Sequence, residues 1–293
     1  MHKAGFVNIV GNPNVGKSTL MNQLVGEKLS IATFKAQTTR HRIMGIVNTE
    51  DTQIVFSDTP GVLKPNYKMQ EMMLQFSESA LADADILLYV TDVVEDPEKN
   101  MDFLEKVSKM SIPVILLINK IDESDQKTLG NLVTKWHGLL PNAEILPISA
   151  KNKFGVDILL KRVHELLPES PAFFDKDQLT DKPAKFFVSE IIREKILRYY
   201  DKEIPYSVEV VIERFKEDDR QIHISAIIYV ERSSQKGIII GHQGMALKKV
   251  STEARKSLER FFDKKIFLET FVKVDKDWRN SQKELKHFGY SLE

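Results

Sequence analysis

Residues 11–18 read GNPNVGKS, and they follow directly on the apolar run GFVNIV at 5–10. The spacing is G-x-x-x-x-G-K-S, set between a strand pattern and the helix-forming run STLMNQLV at 18–25. That context defines a phosphate-binding loop: the glycines let the backbone turn tightly, so its N–H groups point inward as an anion nest. Gly11 and Gly16 supply the turns, with Asn12, Pro13, Asn14 and Val15 between them and Thr19 just beyond. Lys17 is placed to neutralise β- and γ-phosphate charge, and Ser18 to ligate Mg²⁺.

Outward from this loop, strand patterns at TQIVFS (52–57), ADILLYVTD (84–92), IPVILLIN (112–119) and AEILPIS (143–149) alternate with amphipathic runs such as DFLEKVSKM (102–110). Strands that alternate with helices predict an α/β domain over residues 1–167, with a mostly parallel sheet and helices on both faces. Ligands of such sheets bind at the carboxyl ends of the strands. The remaining short motifs fall at such ends.

NKID at 119–122 decides the base. Guanine presents N1–H and N2–H₂ as adjacent donors, which the Asp122 carboxylate accepts together; adenine offers a lone pair there and leaves the carboxylate unpaired. Sites built on polar pairing reject analogues that lack the partner groups. Asn119 is expected to bond the base edge and brace the loop, and the stem of Lys120, beside Ile121, to cover the base plane. SAK at 149–151 follows the next strand, where the Ala150 N–H, flanked by Ser149 and Lys151, faces the guanine oxygen.

In FSDTPGVLK (56–64), Asp58 is expected to hold Mg²⁺ through water, with Thr59 and Pro60 leading to Gly61, whose N–H reaches the γ-phosphate. GTP-hydrolysing switches commonly follow this glycine with a glutamine that orients water, but here it is followed by Val62. The polar loop KAQTTRHR (35–42) must supply a threonine to the metal: Thr39 is favoured, with Thr38 next. Arg40 is expected to face solvent rather than act as an internal finger. The expected catalytic set is Lys17, Asp58, Gly61, Thr39 and Asn14, and the expected metal ligands are Ser18, Thr39 and Asp58.

Formal net charge is zero, so nucleic-acid contact must come from local patches. The absence of cysteine excludes disulfides, thiol nucleophiles and cysteine metal sites. No apolar run approaches the length of a bilayer span, and the N-terminus enters a strand pattern at once, which predicts a cytoplasmic protein. Monomer is the default expectation, with peripheral contact on the cytoplasmic face of the membrane left open.

The stretch LPESPAFFDKDQLTDKP (167–183) carries three prolines and little periodicity, and residues 168–183 read as a linker. Beyond it, 184–293 read as a smaller α+β domain in the order α-β-β-α-β. Its second strand carries Ile222, Ile224, Ala226, Ile228 and Val230 on one face. From 231 to 265 there are nine Lys/Arg and four Asp/Glu, so 9 − 4 = +5 in a chain of net zero.

The stretches GNPNVGKSTLMNQLVGEK, KAQTTRHRIMGI, SDTPG, NKID and SAK resemble the Era family of bacterial GTPases, and the likeness runs on to the C-terminus. It implies a GTPase domain joined to a type II KH domain. It also implies slow GTP hydrolysis with GTP/GDP and Mg²⁺, and binding near the 3′ end of 16S ribosomal RNA to assist maturation of the small ribosomal subunit. The KH loop would be GHQG, with Gly241, His242, Gln243 and Gly244 clamping single-stranded RNA beside Lys248 and Lys249. Asn14 has two readings: a ligand for K⁺ beside the phosphates, or a turn residue after Pro13. The alternatives in function are an RNA-binding GTP sensor with negligible hydrolysis and a related GTPase of tRNA modification.

Overall fold

The computed structural model describes residues 2–291. Its first half runs β1 (Lys3–Gly11), α1 (Lys17–Val25), β2 (Ile43–Asn48), β3 (Thr52–Asp58), α2 (Lys68–Ala82), β4 (Ile86–Asp92), α3 (Met101–Ser108), β5 (Val114–Asn119), α4 (Gln126–Leu139), β6 (Glu144–Pro147) and α5 (Val156–Leu166). The strands form one sheet in the order β2-β3-β1-β4-β5-β6, parallel except for β2. β3 and β4 are buried along their whole length, and β4, ILLYVTD, accordingly reads as a near-continuous apolar run rather than an alternation. Chain order reverses at β1, so its carboxyl end opens into the crevice where ligands of such sheets bind. Residues 11–18 lie there.

The antiparallel strand β2 begins directly after the polar loop read at 35–42, and it was not expected as a strand. It is short and interrupted by Gly45, where a Cβ would come within 2.7 Å of the Met21 and Val25 side chains. The outer edge of β2 is occupied in turn: the Ile46 N–H donates to the Leu179 carbonyl at 2.8 Å, and Gly45 bridges Thr180. The segment read as a linker therefore lies along the first sheet for most of its length. There the Gln53 side chain accepts from the N–H groups of Phe173 and Phe174 and donates to the Phe174 carbonyl. Covering an edge strand in this way removes a row of unpaired backbone groups.

Backbone contacts divide the chain into residues 2–66 with Gln70–Asp181, and Tyr67–Met69 with Lys182–Ser291. The second unit runs α6 (Ala184–Tyr199), β7 (Val208–Glu217), β8 (Gln221–Val230), α7 (Ser233–Ile240), α8 (Met245–Phe262), β9 (Lys265–Val274) and α9 (Gln282–His287). β8 is central, antiparallel to β7 and parallel to β9. Its five alternating residues are all buried, at 1% exposure or less, against Val250, Ala254 and Leu258 of α8.

The expected order α-β-β-α-β is corrected to α-β-β-α-α-β-α, because the apolar run Ile238–Ile240 closes a helix and a short helix follows β9. Gln235 starts α7 by accepting from the N–H groups of Glu231 and Arg232, both at 3.0 Å. Burial of Ile239 then outweighs the low helix propensity of β-branched residues. Among the described residues no helix is long and apolar enough to cross a membrane.

Candidate nucleotide site

The first helix starts without a side-chain cap, so its leading N–H groups remain available to an anion. Gly16 holds φ 98°, and a Cβ there would fall 2.2 Å from the Asn119 amide nitrogen. Glycine is required on both counts. The turn encloses a cleft of about 470 Å³ whose lining includes Asn14, Lys17, Ser18, Thr39, Gly61 and Lys120. Arg40, expected in solvent, is only 1% exposed and lines none of this cleft.

Lys17 is buried, and its Nζ donates to the carbonyls of Gly11 at 3.0 Å and Asn12 at 2.7 Å. Burial brings its pKa down to about 8, against the opposing pull of Asp58 and Glu95. The same burial pushes the Asp58 carboxyl up, while Lys17 and nearby hydroxyls draw it back. Ser18 Oγ lies 2.8 Å from Thr39 Oγ1, which donates to Asp58 Oδ2 at 3.4 Å. Thr38 instead donates to the Lys35 carbonyl at 2.5 Å, inside its own loop. Of the two threonines, Thr39 is the one that joins Ser18 and Asp58.

These donors fit Mg²⁺. They are hard oxygens, and Asp58 Oδ1 is buried with no hydrogen-bond partner in the protein. A single carboxylate with two hydroxyls suits a site completed by phosphate oxygens rather than an all-protein cage.

At the base end, Asn119 spends both ends of its amide within the protein: Nδ2 donates to the Val15 carbonyl at 2.8 Å, and Oδ1 accepts from the Ala150 N–H at 2.9 Å. The expected use of the Ala150 N–H on guanine requires that donor to be shared with Asn119. Ser149 Oγ donates to Asp122 Oδ1 at 2.6 Å and so aims the carboxylate. Lys120 stands in a left-handed turn at φ 63°, its ammonium 2.5 Å from Asp92 Oδ2. That partner, one strand away, was missed, although Asp92 ends an apolar strand as the other motif residues do.

Other expected residues face elsewhere. Thr59 Oγ1 donates to the Ile9 carbonyl, and the Pro60 carbonyl accepts from Ser77. Val62 is 4% exposed and packs into the apolar core with Val10 and Ala80. Asn12 turns away from the cleft toward Asn100 and Glu95, and Lys151 is exposed. In the second unit, Gly241 ends α7, Gly244 precedes α8, and His242 and Gln243 form the turn between them. A groove of about 340 Å³ beside this turn is lined by Gly244, Lys248, Ser251, Arg255 and Thr270, among others. Lys249 points away, its ammonium 4.5 Å from the centre of the Tyr199 ring.

The family model described as "50S ribosome-binding GTPase" matches residues 6–120, and that of the KH domain matches 203–279. The GTPase Era of Clostridium kluyveri is 44% identical over 292 residues, 99% of this chain and all of that protein. The GTPase Era of Geobacter sp. strain M21 is 46% identical over 98% of each chain. A crystal structure of Era with MgGDPNP and nucleotides 1506–1542 of 16S ribosomal RNA superposes with a TM-score of 0.95 at 37% identity, over the full length of both. A variant of Aquifex aeolicus Era bound to GDP·AlF4⁻ gives 0.94 at 38%, over 99% of this chain and all of that one. With the GTPase model and the KH model matched in one chain, and its whole length matched by these relatives, this protein belongs to the Era family of GTPases.

Proposed function

We propose that the chain is a slow GTP hydrolase that binds the 3′ end of 16S ribosomal RNA and assists maturation of the small ribosomal subunit in the cytoplasm, acting as a monomer. The observation that carries the hydrolytic part is the cluster of Lys17, Ser18 and Thr39 lining one cleft, with the buried Asp58 accepting from Thr39. The RNA part rests on the GHQG turn of the second unit, together with the ribosomal RNA held by the relative of TM-score 0.95.

Hydrolysis here is positioning and charge stabilisation. Lys17 exchanges its carbonyl partners for phosphate oxygens. Asp122, aimed by Ser149, accepts the two guanine donors. The Gly61 N–H meets the γ-phosphate, and water attacks phosphorus as the bond to the bridging oxygen of GDP breaks. Ser18, Thr39 and Asp58 would hold Mg²⁺, which when bound supplies positive charge to the β- and γ-phosphate oxygens. Val62 cannot orient the water, since its side chain is apolar and buried. The backbone of the switch segments takes that task; Asn14 would hold K⁺, which when bound would add positive charge at the site.

In-cell crosslinking, followed by sequencing of the attached RNA, tests the assignment: the 3′ end of 16S ribosomal RNA is expected, and its absence would sink the reading. GTP turnover that is equal in potassium and sodium removes K⁺ from the account. No turnover in either leaves the GTP-sensing alternative.

A further inference from the structure

Asn100 stands at the N-cap of α3, the position where asparagine ordinarily accepts from the first N–H groups of a helix. Its side chain does not do so. Only its backbone serves the helix, with the carbonyl accepting from Phe103 and Leu104 at 3.1 Å each. The side-chain amide instead reaches across to the nucleotide site. Nδ2 donates to Oδ1 of Asn12 in the phosphate loop and, at 3.2 Å, to the Val62 carbonyl.

Val62 is thereby held through the peptide on each side of it. Its N–H donates to the Gly11 carbonyl at 3.0 Å, its carbonyl accepts from Asn100, and its side chain is locked in the core. Asn12 is fixed in turn by its hydrogen bond to Glu95, which also accepts from Thr91 Oγ1 at 3.1 Å. Next along the same loop, Asp92 accepts from the N–H groups of Val94 and Glu95 and pairs with Lys120. The segment after β4 thus ties together the phosphate loop, the γ-phosphate sensor and the base-reading motif.

We infer that Asn100 is a positioning residue for GTP hydrolysis. It anchors the Val62–Leu63 peptide, and through it Val62, beside the phosphate loop, so that the backbone performs the ordering that a glutamine side chain performs elsewhere. This rests on the hydrolase reading above. It concerns the γ-phosphate end alone, because Asn100 touches neither the base motif nor the loop's anion-binding N–H groups.

The test uses the full chain and two variants. Asn100→Ala removes the clamp. Asn100→Asp keeps size and capping ability but sets two carboxylate acceptors against the Val62 carbonyl. Losing one such hydrogen bond is worth about a fivefold change. In both variants, kcat is expected to fall about fivefold or more while the KM for GTP and the Kd for GDP stay within about twofold. The affinity for a non-hydrolysable GTP analogue relative to GDP should fall as well, which reads the clamp without turnover.

An unchanged kcat and an unchanged affinity ratio in either folded variant would overturn the inference. So would a loss of GDP affinity that matches the loss of kcat, since that marks a general brace of the phosphate loop. If Asn100→Ala does not fold, the aspartate variant decides. A wild-type chain that binds GTP without hydrolysing it sinks the hydrolase reading, and the affinity ratio still judges the clamp.

Discussion

At the level of single side chains, Val62 and Lys17 meet at the same Gly11 carbonyl, to which the Val62 N–H and Lys17 Nζ both donate, and do opposite things. Val62 contributes backbone and packing, so Val62→Ala should lower stability by about 2 kcal/mol and leave turnover within about threefold. Lys17→Ala and Asp58→Ala remove charge where it develops and should cost at least about a hundredfold in kcat. Equal inactivity of Val62→Ala and Lys17→Ala, with folding and GTP binding intact, would contradict this division. Lys17 also sets a pH dependence. Its free pKa is about 8, and phosphate alongside it favours the charged form. Above that pH, nucleotide binding must therefore take up a proton. GDP affinity should be level below about pH 7 and fall towards tenfold per unit above about pH 8, as read by calorimetric titration. A level profile across that range would remove Lys17 from phosphate binding.

Elements were legible in the sequence wherever local pattern and burial agree. The parallel core strands, the phosphate loop and the alternating face of β8 need only nearest-neighbour chemistry, and all could be read directly. β2 and α7 could not. β2 owes its existence to β3 on one side and residues 179–180 on the other, a pairing across more than a hundred residues. α7 places isoleucines in a helix because the sheet beneath buries one of them. Thr39 could be preferred over Thr38 but not separated from it, since their difference lies in which loop atoms each reaches. The same distinction between local and distant causes governs the KH turn. A Cβ on Gly241 would lie 2.6 Å from that of Ala246, at φ 70° and ψ −179°, whereas one on Gly244 meets nothing within 4 Å. Gly241→Ala should destabilise the second unit by about 3 kcal/mol and Gly244→Ala by about 1 kcal/mol, by urea denaturation. Equal effects would mean that the turn relaxes.

Across the whole molecule, charge balances to zero while residues 231–265 hold a surplus of five positive charges. RNA affinity should therefore fall with salt, and Lys248→Ala, on the groove beside the turn, should lower the slope of log K against log salt by about 1. Lys249→Ala should do less, because its ammonium is already engaged with Tyr199. An affinity that ignores salt would refute an electrostatic clamp. The Asn119 side chain has a consequence of a different kind, for how such a site can change over time. Its amide joins the Val15 carbonyl to the Ala150 N–H, so a substitution there disturbs phosphate grip and base reading together. Asp122 and its Ser149 partner form a separate hydrogen-bonded pair. On the proposed reading of Asp122, base preference should therefore be able to drift through that pair while the phosphate grip stays intact. The fold offers one adjustable module for nucleotide choice and one residue at which drift is closed.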